Sequence, residues 1–161
     1  MAFWRLYYHL VWATKERQPL ITPEIEAELY GYMIGKADAL ECITHALGGI
    51  ENHVHLVASI PPKLAVAEFV QKIKGSSAFH INHRKPNFST ELNWQRGYGV
   101  FSLGEKNLQW VVDYARKQKE HHHRQANLKQ MLERDADEDD GPAPWNHGQA
   151  IAGIKIIRAS Q

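Results

Sequence analysis

The chain has 161 residues, 43% apolar and 23% charged, the balance of one soluble globular domain long enough to bury a core. Nineteen Lys and Arg against eighteen Asp and Glu leave a formal net charge of +1, so no global basic field announces nucleic acid. A single cysteine, Cys42, excludes an internal disulfide and suits a reducing cytoplasm, and no run reaches the ~18 apolar residues of a membrane helix. The first residues are an aromatic, strand-like run rather than a secretory leader. Charge is unevenly spread: Asp135, Asp137, Glu138, Asp139 and Asp140 form an acidic run, and the chain before it is correspondingly basic.

In chain order, residues 3–14 (Phe-Trp-Arg-Leu-Tyr-Tyr-His-Leu-Val-Trp-Ala-Thr) read as an aromatic strand, followed by a basic loop with Lys15, Arg17 and Pro19. Thr22 is placed to cap a helix with Pro23 at its first position and Glu24 in its first turn; Ile25, Leu29, Tyr32, Met33 and Ala37 keep helical spacing to about Leu40. Residues 41–50 read as a second strand, and Glu51-Asn52 is a plausible tight turn into a third, residues 52–60, which ends at Pro61-Pro62. Residues 64–74 form an amphipathic pattern that extends past Gly75 to about His83. Residues 84–97 are loop-like, Tyr98 to Phe101 a short strand, and Ser102 to Glu105 has the spacing of a capping box that opens a long helix to about Arg134.

The order β-α-β-β-α-β followed by a helix predicts an α+β fold: a ferredoxin-like, split-βαβ antiparallel sheet with helices on one face and a long C-terminal helix. The first and third strands are then the central pair. Residues 1–134 form the domain and residues 135–161 an acidic linker, with Gly141-Pro142-Ala143-Pro144, and a C-terminal tail. The apolar-basic segment 150–159 reads equally as an edge strand, a partner contact or a flexible tail.

Two places carry candidate chemistry. On a strand, His53 and His55 share one face while Val54 points into a core, and two neutral imidazoles side by side can chelate a divalent ion. Taken alone, the pair also fits a strand with two half-exposed histidines. In the last helix, Trp110, Tyr114, Gln118 and His122 recur every four residues and form one stripe. Tyr114 fits a half-buried tyrosine with a satisfied hydroxyl; it also fits a nucleophile, with Gln118 supplying an oxygen to the metal the histidines hold. Two imidazoles and an amide oxygen make an open site with room for a phosphate oxygen and water.

Five stretches in order resemble a known family: residues 7–15 (Tyr-Tyr-His-Leu-Val-Trp-Ala-Thr-Lys), Asn52 to Val57, Lys72 to Ser77, Trp94 to Ser102, and Tyr114 to His122. Together they are similar to the single-tyrosine HUH transposases, the small transposases of bacterial insertion sequences and their relatives associated with repetitive extragenic palindromes. The resemblance spans most of residues 3–123. It implies that His53 and His55 are the HUH metal ligands, Gln118 the third ligand, and Tyr114 the nucleophile that forms a 5′-phosphotyrosine link and frees a 3′-hydroxyl. It implies Mg²⁺ or Mn²⁺ as cofactor, single-stranded DNA with a hairpin as substrate, and a homodimer, in many members with active sites shared between subunits. Family members commonly carry an acidic residue before the first histidine; here that residue is Asn52.

For DNA contact the sequence offers Lys15 and Arg17, then Lys72, Lys74, Ser76 and Ser77 around Gly75, and Arg116 and Lys117 beside the tyrosine stripe. Each lysine fits a solvated surface charge equally well. Trp94 and Tyr98 are candidates for base stacking, with core packing favoured for Tyr98. Cys42 and His45 read as packing residues. Two readings compete with strand transfer: a domesticated hairpin-binding protein or nickase without transposition, and a histidine-triad hydrolase. The latter needs a third alternating histidine, and position 57 is valine.

Overall fold

The structure is a computed structural model describing residues 2–84 and 88–121. The acidic linker and tail at 135–161, the expected boundary at 134, Lys85, His122, His123 and the helical continuation past residue 121 lie outside these residues. Four strands form one antiparallel sheet: β1 (Tyr7–Ala13), β2 (Ile43–Ile50), β3 (His53–Ser59) and β4 (Gly99–Leu103), in the order β2-β3-β1-β4. Helix α1 (Pro23–Ala39) links β1 to β2, and α2 (Val66–His83) links β3 to β4. This is the expected split-βαβ arrangement, with β1 and β3 central.

The two central strands are covered on both faces, and every residue of β3 is buried. Alternation sorts their side chains. Leu10 and Trp12 of β1 and Val54, Leu56 and Ala58 of β3 face α1 and α2, in one core with Ile25, Leu29, Met33 and Ala37 of α1 and Phe69, Val70 and Ile73 of α2. Each such large side chain contributes roughly 1.5–3 kcal/mol by leaving water.

The opposite face is covered by α3 (Glu105–Arg116), which lays Val111, Val112 and Ala115 on Val57 and Ala46. Helix α3 can come this close because β2 carries glycine at 48. A Cβ there would run into the carbonyl oxygen of Ala115. Gly48 pairs with His55 in the β2–β3 register, so the closest approach of helix to sheet falls beside that histidine.

Three expectations need correction. The last helix is not continuous: α3 ends at Arg116, Lys117 takes φ −96° and ψ 22°, and a separate short helix, α4 (Gln118–His121), follows. The capping box does not form. Ser102 lies within β4, paired with Tyr8; Gly104 is the N-cap, with no side-chain cap, and Glu105 accepts a hydrogen bond from Tyr7 Oη at 3.3 Å. Pro23 does open α1, but Thr22 makes no side-chain cap there either.

Candidate active site

The polar residues of the sheet gather on the α3 face. His53 and His55 lie there one β-step apart, with ring centroids 5.0 Å apart and planes at 70°. Val54 points into the opposite core, as the alternation predicts. Helix α3 sets Tyr114 against His55. Its ring meets His55 edge-on, centroids 5.6 Å apart at 80°, within the same chain. The histidine strand thus lies under α3, with His55 against Tyr114.

Each histidine is oriented by a neighbour. His53 Nδ1 lies 2.7 Å from Asn52 Oδ1. An amide oxygen only accepts, so the proton sits on Nδ1 and the lone pair on Nε2. Asn52 thus does by hydrogen bonding what a carboxylate does when it orients a ligating imidazole. His55 Nδ1 lies 2.8 Å from Nε2 of His9, a fully buried residue whose ring stacks on that of His55 at 16°. Burial alone pulls the His9 pKa down to about 4, so His9 stays neutral near pH 7, with one donor and one acceptor nitrogen. His9 is the residue that sequence reasoning missed. Alternation puts it on the face opposite Leu10 and Trp12, but only the strand register brings it against His55.

Gln118 is almost fully buried at the start of α4. Its Nε2 donates to the Tyr114 carbonyl oxygen at 3.1 Å, and its Oε1 is buried without a hydrogen-bond partner among the described residues. An amide held by its nitrogen with a bare buried oxygen suits a hard divalent cation, which prefers oxygen ligands. Among the described residues no group of three His, Cys, Asp or Glu side chains is arranged for a metal. The residues that could hold a metal are His53 and His55, through ring nitrogens, and Gln118, through this oxygen.

A family model of IS200-like transposases matches residues 2–118. The chain belongs to the IS200-like transposase family. It is 28% identical over 121 residues to the ISDra2 transposase TnpA of Deinococcus radiodurans, covering 71% of this chain and 85% of that one. It is also 28% identical over 128 residues to the transposase of insertion sequence IS200 from Salmonella typhimurium, covering 73% and 79%. A crystal structure assigned as a transposase from D. radiodurans R1 superposes with a TM-score of 0.59 at 26% identity, covering 70% of this chain and 90% of that one. A REP-associated tyrosine transposase, solved bound to a REP hairpin, shares the fold with a TM-score of 0.55 at 18% identity, covering 76% and 74%.

In this IS200-like transposase the basic candidates fall into two groups. Lys15, Arg116 and Lys117 are exposed. Lys15 and Arg17 sit on the 3-10 turn after β1, where Arg17 has φ 50°, and Arg116 Nη2 donates to the His45 carbonyl at 3.3 Å. The α2 group is more committed to the fold. Lys72 pairs with Glu68 at 2.7 Å, and Lys74 Nζ donates to the carbonyls of Gln95 and Gly97 at 2.6 and 2.7 Å. Ser76 bonds back to the Lys72 carbonyl. Ser77 is fully buried, bonded to the Lys74 carbonyl and accepting the Trp94 indole N–H. Trp94 is no open platform, since it packs edge-on against Trp12 at 6.0 Å. Tyr98 packs on the main core, and Cys42 is buried, its thiol pushed up to about 11 chiefly by burial. Among the described residues no helix is long and apolar enough to cross a membrane.

Proposed function

We propose that this transposase cleaves and rejoins single-stranded DNA through a 5′-phosphotyrosine at Tyr114, using Mg²⁺ or Mn²⁺ held by His53, His55 and Gln118. The observation that carries the reading is the edge-on contact of Tyr114 with His55 beneath α3. The bare buried oxygen of Gln118 one turn away supports the ligand set. A bound divalent ion would polarise the scissile phosphate and steady its developing charge.

The residues supply the rest. Packing on the sheet fixes where the Tyr114 phenol stands, which lowers the entropic cost of attack. Tyr114 Oη forms a bond to phosphorus as the bond from phosphorus to the 3′ oxygen breaks. The phenol loses its proton and the departing 3′ oxygen gains one. One phosphodiester replaces another, so a later 3′-hydroxyl can attack the phosphotyrosine and reverse the step. An ordinary phenol titrates near ~10, so the site must assist its deprotonation.

The substrate we propose is a DNA hairpin with a flanking single strand, and a neighbour of the same fold has been solved on a REP hairpin. A homodimer belongs to the same reading, and the contact of Tyr114 with His55 inside one chain supports an active site complete in each subunit. Lys15, Arg17, Arg116 and Lys117 are the cations we assign to phosphate contact. Lys74 braces the loop before β4 through the Gln95 and Gly97 carbonyls and Ser77 holds the Trp94 indole N–H there, whereas the Lys72–Glu68 pair and the Ser76 bond to the Lys72 carbonyl stay within α2.

The test incubates the protein with Mg²⁺ or Mn²⁺ and labelled single-stranded DNA carrying a hairpin. A covalent adduct in the wild type and none in Tyr114→Phe is expected. An adduct that persists in Tyr114→Phe overturns the nucleophile assignment. Metal-independent hairpin binding without any adduct favours a domesticated binding protein.

A further inference from the structure

Helix α3 carries a second aromatic ring beside the tyrosine that packing does not require. The buried side of α3 is complete with Val111, Val112 and Ala115 on Val57 and Ala46. Trp110, one turn before Tyr114, stays 51% exposed. Its ring lies nearly parallel to that of Tyr114, with centroids 6.0 Å apart and planes at 22°. One turn earlier again is Lys106, also exposed. Lys106, Trp110 and Tyr114 thus follow one another at four-residue spacing along α3. The line offers a cation, an open indole face and a phenol. Successive members, four residues apart, rise by about 6 Å along the helix axis, a step that an extended single strand can follow.

We propose that Trp110 is the stacking platform for the nucleobase of single-stranded DNA next to the scissile phosphate, with Lys106 neutralising the following phosphate. This rests on the proposed role of Tyr114. A π-face suits any base, so the platform positions the strand without reading its sequence. Leaving half an indole in water forgoes apolar burial in the unbound protein, and a stacked base recovers it. The parallel setting of the two rings means that a base on Trp110 brings its own phosphate toward Tyr114. Trp110 acts through position, not chemistry, and the effect falls on binding more than on the rate at saturating DNA.

The experiment places the fluorescent base 2-aminopurine at successive positions beside the cleavage site of a hairpin substrate. It reads both its quenching and adduct formation as DNA concentration is varied. Quenching confined to the nucleotide adjacent to the scissile phosphate is expected. Trp110→Ala should abolish it and raise the half-saturating DNA concentration by about 5- to 150-fold, the range for loss of one base–aromatic stack. Trp110→Phe should restore most of both. Phe79→Ala, which removes a 63% exposed ring from α2 beneath the opposite face, should change neither. A wild type that forms adduct while 2-aminopurine is equally bright with Trp110 and Trp110→Ala overturns the platform and leaves the strand-transfer reading standing. Quenching that depends on Trp110 without any adduct supports the platform and overturns strand transfer. Unchanged quenching with a dimer lost in Trp110→Ala assigns the ring to contact between copies of the chain and overturns the proposal.

Discussion

The two faces of the sheet do different work with the same strands. Against α1 and α2 the strands present Leu10, Trp12, Val54, Leu56 and Ala58, and the helices answer with Phe69, Ile73, Leu29 and Met33. Against α3 they present His9, His53 and His55, among neighbours that include Val57, Val111, Ala115, Phe101 and the half-buried Tyr114. Burying an imidazole has a cost that a leucine does not incur. The first face therefore supplies stability, and the second is where some of it is given up for a polar, oriented site.

That contrast predicts mutations of different size and kind. The largest stability loss belongs to the helical core: Phe69→Ala, at a fully buried position, should cost about 3–5 kcal/mol in denaturant unfolding. Next comes a pH effect from the other face. Burial lowers the His9 pKa from 6.5 to about 4, so below pH 6.5 the unfolded chain binds the proton that the folded chain refuses. Stability of the metal-free protein should be full above pH 6.5 and fall as pH drops toward 4, by up to about 3 kcal/mol. Unfolding midpoints measured across that range with a chelator present would show the slope, and His9→Phe should flatten it. The same variant removes the partner of His55 Nδ1. It should weaken Mn²⁺ binding about 10- to 100-fold, read by calorimetry, as loss of an orienting partner does elsewhere. The smallest effect on folding, about 1–3 kcal/mol, should come from Gly48→Ala, which pushes α3 away from the sheet at Ala115. Its effect on adduct formation should exceed its effect on stability, because Tyr114 is the neighbour of Ala115.

How legible these faces are in the sequence also differs. The apolar face is written in alternation and helical period: Ile25, Leu29, Met33 and Ala37 mark α1, and all four are buried. The proline pair after Ser59 and the turn at Glu51-Asn52 bound the histidine strand. On the other face the histidines' shared side is legible, but His9 is not, because pairing it with His55 depends on a register that no local pattern states. The helix ending also escapes a sequence reading. Tyr114 and Gln118 keep perfect four-residue spacing, yet the backbone departs at Lys117 and the Gln118 side chain turns back to the Tyr114 carbonyl. The Ser102–Glu105 spacing misleads for a similar reason, since β4 runs on through Leu103 and Tyr7 takes the glutamate. Gly48 gives no periodic signal at all; only the carbonyl of Ala115 above it explains the absent side chain.

On the reading proposed above, the α3 face is a strand-transfer site with Tyr114 as its nucleophile. The most direct test traps the covalent complex on a hairpin-bearing single strand with Mn²⁺, digests it, and locates the nucleotide by mass spectrometry. The account predicts a 5′-phosphate on the peptide containing Tyr114 and on no other tyrosine. Attachment at Tyr7, Tyr8, Tyr30, Tyr32 or Tyr98 instead would contradict it.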